Sequence, residues 1–234
     1  MNESSARQRR QPRRLGRSEL AKAIYIDFEK RAIEEEPPVM LGVLLDDSAD
    51  LSGSWTFTQY VFDPGLWPLA DATGPPAVRT ELRETLNALV ERSDAEARPL
   101  VGWSFHDRDL IRQWSDHGPV RYRNAIRTAR RWRQGRTSID GGPDVEFVHN
   151  DLQSYLRLIG YDVPGDVRRG AGRWIANVRE RLASGSGTVA DMSRSGRRDW
   201  DRLLAHNRHD CLGMRAVMYR VHGMEPPTPP VVSS

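Results

Sequence analysis

The sequence predicts an α/β fold: a mixed sheet in which three antiparallel strands come first and parallel strands follow, flanked by helices. Three observations predict it. Ala23-Ile24-Tyr25-Ile26 is an apolar, β-favouring run of the kind that fills a sheet buried on both faces. Two more β-type segments, Val39–Leu45 and Trp55–Phe62, follow it and read as an antiparallel meander. Beyond residue 80, segments of helical period alternate with short apolar ones, as parallel strands joined by helices require. A chain of 234 residues suits one such domain with extensions and can bury a substantial core.

Taken in order, the first strand spans Lys22–Phe28. The second, Val39–Leu45, is apolar and runs into Asp46-Asp47, and the third alternates Trp55, Phe57, Tyr60 and Phe62 with polar residues. Asp63–Pro76 is rich in Pro and Gly and reads as a loop. Leu82, Leu86, Leu89 and Val90 give Thr80–Arg92 a helical stripe. A fourth strand at Pro99–Trp103 leads into a helix over His106–Trp114, and Asp144–Val148 is a short strand candidate. Helices at Asn150–Ile159, Arg173–Ala183 and Arg198–Val221 complete the domain, with Ser184–Gly187 and Gly196 as a flexible connection before the last.

Three stretches carry acids in positions that suggest chemistry. Asp27 and Glu29 end the first strand, and strand alternation points both to one face with Phe28 opposite. Two carboxylates that close repel one another unless a cation lies between them, and hard oxygen donors suit Mg²⁺ or Mn²⁺. A strand fraying into a charged turn fits the same residues, because Lys30 and Arg31 follow. His206 and Asp210, four residues apart on the last helix, share one face, which leaves Asn207 and His209 on others. After the fourth strand, Asp107 precedes Ile111 by one turn, so it turns with Ile111 toward the sheet. Asp109 points about 200° away from Asp107, toward solvent near a helix N-terminus.

These residues resemble the DEDD (DnaQ-like) exonuclease superfamily of ribonuclease-H-like fold, and within it the YprB-like branch. Asp27-x-Glu29 resembles that family's first motif, and His206-Asn207-Arg208-His209-Asp210 its third. Asn150-Asp151-Leu152 through Leu158-Ile159-Gly160 is similar to its leucine-rich helix ending in Leu-Gly. The resemblance extends from about Ala21 to His222, and the order of strands and helices above is the ribonuclease-H-like one. It implies two divalent ions, Mg²⁺ or Mn²⁺, held by Asp27, Glu29, Asp107 and Asp210, with His206 as general base or water-orienting group. The implied reaction is 3′-to-5′ hydrolysis of DNA or RNA. The second motif departs from the family's Phe-Asp pattern, reading Trp103-Ser104-Phe105-His106-Asp107. That departure keeps open an alternative, a catalytically weak or inactive nucleic-acid-binding module within a larger assembly. A protein-interaction domain with incidental acids is a third option.

The overall charge of +3 is uneven. Residues 1–17 carry six arginines against one glutamate, about +5, which leaves the remainder at about −2. Residues 1–20 therefore read as a disordered basic tail, 21–222 as the folded domain, and 223–234 as a Pro-rich tail. A second basic segment, Arg121–Arg136, sets Tyr122 and Trp132 among arginines. Arg123, Arg127, Arg130, Arg131 and Trp132 are its candidates for gripping single-stranded nucleic acid or 3′ ends. Ile126 and Ala129 also allow an ordinary amphipathic helix with a charged face. Lys22 and Lys30 are the only lysines, so arginine abundance is not in itself a nucleic-acid signal. The single cysteine, Cys211, excludes an intrachain disulfide and, with no apolar leader or membrane-length run, implies a cytoplasmic protein without a membrane partner.

Overall fold

The computed structural model describes residues 15–31, 36–46, 55–140, 149–165, 170–184, 189–190 and 192–225. Among the described residues, six strands form one mixed sheet: β1 (Ile24–Glu29), β2 (Met40–Asp46), β3 (Trp55–Val61), β4 (Ala77–Arg79), β5 (Leu100–Gly102) and β6 (Tyr122–Asn124). Their spatial order is β4-β3-β2-β1-β5-β6. β1 to β3 make the antiparallel meander, while β4, β5 and β6 join parallel to β3, β1 and β5. The helices are α1 (Arg17–Leu20), α2 (Trp67–Thr73), α3 (Leu82–Ala95), α4 (Phe105–Trp114), α5 (Ala125–Asp140), α6 (Leu152–Leu158), α7 (Ala171–Ser184) and α8 (Arg194–Val221).

Strand alternation sorts the core into layers. Ile24, Ile26 and Phe28 of β1 pack with Leu86, Leu89 and Val90 of α3 and Leu110 and Ile111 of α4. Tyr25 faces the other way, joining Ala125 and Ala129 of α5, Tyr155 and Leu156 of α6, and Met214, Val217 and Met218 of α8. A third cluster sets Met40 and Val61 against α2, Trp174, Ile175 and Val178 of α7, and Trp200 and Leu203 of α8. The long helix α8 thus lies across one face of the meander. Among the described residues, no helix is long and apolar enough to cross a membrane.

Several sequence expectations need correction. Asp63–Pro76 is not a plain loop. It holds a 3₁₀ turn (Pro64–Leu66), in which the Asp63 side chain accepts from Gly65 N, followed by α2. Prolines fall in the first turn of each element, where a missing N–H costs nothing. The last helix begins at Arg194, with Ser193 as its cap, and Gly196 lies buried inside it. There a Cβ would come within 2.8 Å of Met192 Cγ, which explains the glycine without invoking flexibility. Residues 15–20, assigned to the basic tail, belong to the fold: Leu15 and Leu20 are buried, and Glu19 pairs with Arg123. The Arg121–Arg136 segment divides into β6 and the start of α5. The strand candidate Asp144–Val148, residues 1–14 and residues 226–234 lie outside the described residues.

Candidate active site

The C-terminal half of β1 delivers the first two acids. Its alternation turns Asp27 and Glu29 to the α8 side, opposite Ile26 and Phe28. Above them, α8 presents His206, Asn207 and Asp210. His206 Nε2 lies 3.8 Å from Glu29 Oε1 and 3.7 Å from Asp210 Oδ2, and its ring meets Trp174 edge-on at 5.8 Å. Asn207 Nδ2 donates to the Asp27 backbone carbonyl at 3.0 Å and to Asp27 Oδ2 at 3.1 Å.

Asp107 comes from the neighbouring parallel strand. β5 ends at Gly102, and Ser104 caps α4, its hydroxyl accepting from His106 N while Asp107 Oδ2 accepts from Ser104 N. This capping box fixes Asp107 in the first turn. Gly102 makes the room: a Cβ there would come within 2.7 Å of Asp107 Oδ2. Asp107 is 7% exposed, whereas Asp109 is exposed and bound to Arg108 at 2.7 Å. Of the two, the structure brings only Asp107 to the other acids.

The electrostatics are those of crowded carboxylates, two buried (Glu29, Asp107) and two half-buried (Asp27, Asp210). Burial raises Asp27 well above the usual range, and the charges of Asp210 and Asp107 raise it further; His206 and Asn207 act in the opposite direction. Glu29 is raised by burial, then by Asp27 and Asp210. Burial lifts Asp107 to about 6 against the pull of backbone N–H groups and the Tyr122 hydroxyl, and lifts Asp210 to about 7. Glu29 Oε1 and Asp210 Oδ1 are buried without a hydrogen-bond partner. Cys211, fully buried beside Asp210, is influenced by all four acids, with burial the larger cause. Comparison with known protein families, characterised proteins and solved structures finds no match. The site therefore stands on its own chemistry.

Its donor set is hard oxygen plus one imidazole, the set that takes Mg²⁺ or Mn²⁺. Among the described residues, no group of three or more His, Cys, Asp or Glu side chains is arranged to hold a metal ion. The acids lie within electrostatic reach of one another. The two unpartnered buried oxygens are nonetheless an acceptor surplus that a cation would satisfy.

The arginine segment does not converge as a unit. Arg123 is 8% exposed, and its guanidinium is held by Glu19 at 2.6 Å. Arg127, Arg130 and Arg131 are exposed on α5, and Trp132 is half-buried. Arg127 lies 6.0 Å over the Phe105 ring, beside the turn that carries Asp107. Asn207, expected on another face of α8, is instead fully buried against Asp27. It precedes Asp210 by three residues, a spacing that also shares a helix face and was the signal available for it.

Proposed function

We propose that the protein is a metal-dependent nuclease of ribonuclease-H-like fold, hydrolysing phosphodiester bonds of DNA or RNA from 3′ ends in the cytoplasm. One observation carries this reading: buried Glu29 and Asp107 and half-buried Asp27 and Asp210, from three separate elements, lie within reach of one another's charge, with His206 between Glu29 and Asp210. Burying like charges together destabilises a fold, and such clusters concentrate at functional sites. The antiparallel meander β1–β3, continued by parallel β5 and β6 beyond β1, is consistent with that fold, and β4, parallel to β3 at the other edge, is an addition to it.

Asp27, Glu29, Asp107 and Asp210 would hold the divalent ions. When bound, Mg²⁺ or Mn²⁺ supplies charge that makes water more acidic and offsets the charge growing on the phosphate and the leaving oxygen. His206 Nε2, between Glu29 Oε1 and Asp210 Oδ2, is placed to accept the proton of the attacking water. Trp174, edge-on to His206, limits the ring's rotation. The exposed Arg127, Arg130 and Arg131 of α5 meet backbone phosphates, and Trp132 offers a stacking surface at the same helix. Arg123, committed to Glu19, is left out of that set.

The test is incubation of purified protein with end-labelled single-stranded DNA and RNA, in Mn²⁺ or in EDTA, beside Asp27→Asn. A metal-dependent ladder that the substitution removes supports the nuclease and selects its substrate. Salt-sensitive binding that persists in Asp27→Asn, without cleavage, replaces it with the non-catalytic nucleic-acid-binding module.

A further inference from the structure

The sheet register places three residues side by side across the meander: Asp27 of β1 opposite Gly42 of β2, and Gly42 opposite Gln59 of β3. The middle one has no side chain. Into the slot above Gly42 comes Asn207 from α8, so close that a Cβ on Gly42 would lie 2.9 Å from Asn207 Cγ. Asn207 spans the gap between its two neighbours. Its Oδ1 accepts from Gln59 Nε2 at 3.2 Å, and its Nδ2 donates to the Asp27 backbone carbonyl and carboxylate. Gln59 and Asn207 are 2% and 0% exposed, so neither amide has water to fall back on.

The direction of this chain is fixed at both ends. Gln59 Nε2 also donates to the Leu204 carbonyl at 2.9 Å, and a backbone carbonyl can only accept. That sets which end of the Gln59 amide faces α8 and obliges Asn207 to turn its oxygen toward Gln59. The other end of Asn207 is then its NH₂ group, and it meets a second backbone carbonyl, that of Asp27. Neither amide can flip without setting acceptor against acceptor, at the penalty of an unsatisfied buried group.

We propose that Gln59 and Asn207 form a directional amide relay that holds one oxygen of the Asp27 carboxylate against α8, and so presets that carboxylate for a divalent ion. Both are positioning residues for the reaction proposed above, and the inference rests on that reading. Gln59 is the more telling of the two, because it touches neither Asp27 nor any other proposed ligand, and its bonds to α8 go to Asn207 and the Leu204 carbonyl.

Three proteins are compared after stripping with EDTA: the wild type, Gln59→Leu and Asn207→Asp. Mn²⁺ affinity is read by electron paramagnetic resonance, and the side-chain amide pairs by ¹⁵N-edited NMR of the metal-free protein. Loss of a partner that orients a ligand weakens metal binding by about 10–100-fold, and that loss is expected in both variants with a cooperative melt retained. The Asn207 amide protons should exchange slowly with solvent in the wild type and shift in Gln59→Leu. Wild-type Mn²⁺ affinity in a folded Gln59→Leu, or an Asn207 amide that exchanges freely, overturns the relay. If Asn207→Asp does not fold, Gln59→Leu decides alone. If the wild type binds no Mn²⁺, the nuclease reading fails. Slow exchange of the Asn207 protons, with a shift on Asp27→Asn, then still upholds the hold on Asp27, and free exchange removes it.

Discussion

Asp46 and Asp27 sit on adjacent strands beneath the same helix, near opposite ends of β1, and their surroundings are opposite in charge. Asp46 is fully enclosed, yet Arg215 Nε and the Tyr219 hydroxyl of α8 hold one of its oxygens at 2.6 and 2.8 Å. About one and a half turns back along α8 from Arg215, the helix offers Asp210 rather than an arginine, and Asp27 finds acids as its main charged neighbours. A buried acid with its cation is a structural lock. Buried acids that repel one another are a cost, borne where chemistry needs them. One helix does both jobs, fastened at the Asp46 end and under electrostatic strain at the other.

Asp27→Asn gives the largest expected effect on this contrast. Mn²⁺-dependent cleavage should fall to background, while the metal-free protein melts higher than the wild type because one repelling charge is gone. A lower melting temperature would mean that the acid cluster is stabilising, and the contrast would collapse. At the opposite end, Arg215→Ala leaves Asp46 buried without its cation and should cost about 3–5 kcal/mol in urea unfolding. A loss below about 1 kcal/mol would show that the Asp46 end is no lock.

The pH dependence sharpens the comparison further. Asp107 and Asp210 have folded values of about 6 and about 7 against an ordinary 3.8, so the folded state binds protons more tightly than the unfolded one. The stability these groups contribute is fully present below about pH 4 and is lost as pH rises through 6 and 7. Melting of the metal-free protein should therefore decline across that window, and Asp107→Asn with Asp210→Asn should flatten the decline. The smallest effect belongs to Ser104→Ala. It removes the cap that fixes the helix bearing Asp107 and should cost about 1 kcal/mol, without the charge effects of the other substitutions.

What was legible in the sequence followed from local periodicity. The short β-favouring apolar runs of β1 and β2, the alternation of β3 and the helical stripes of α3 and α8 are all local signals. The sequence favoured Asp107 over Asp109, because Ile111, one turn after Asp107, is apolar, but left the choice open until the structure showed Asp107 buried and Asp109 exposed. β4 and β6 were not legible, since three residues cannot display an alternation. α2 was hidden by prolines, which mark helix starts as readily as loops. Asn207 was misjudged because α8 buries a wider arc than a single stripe, lying against two hydrophobic clusters at once. Gln59 carried no local signal at all: its part depends on the register of three strands and on the missing side chain of Gly42 between them.

Cys211 gives the molecule a built-in clock. It is the only thiol in the chain and is wholly enclosed where α8 meets the sheet, next to Asp210. A thiol reagent can reach it only while that helix is parted from the sheet, so the labelling rate counts those openings. No reporter group has to be introduced, and no other sulfhydryl competes for the reagent. Divalent ions seated among the acids would tie the helix down, and the reaction should slow in proportion to their occupancy.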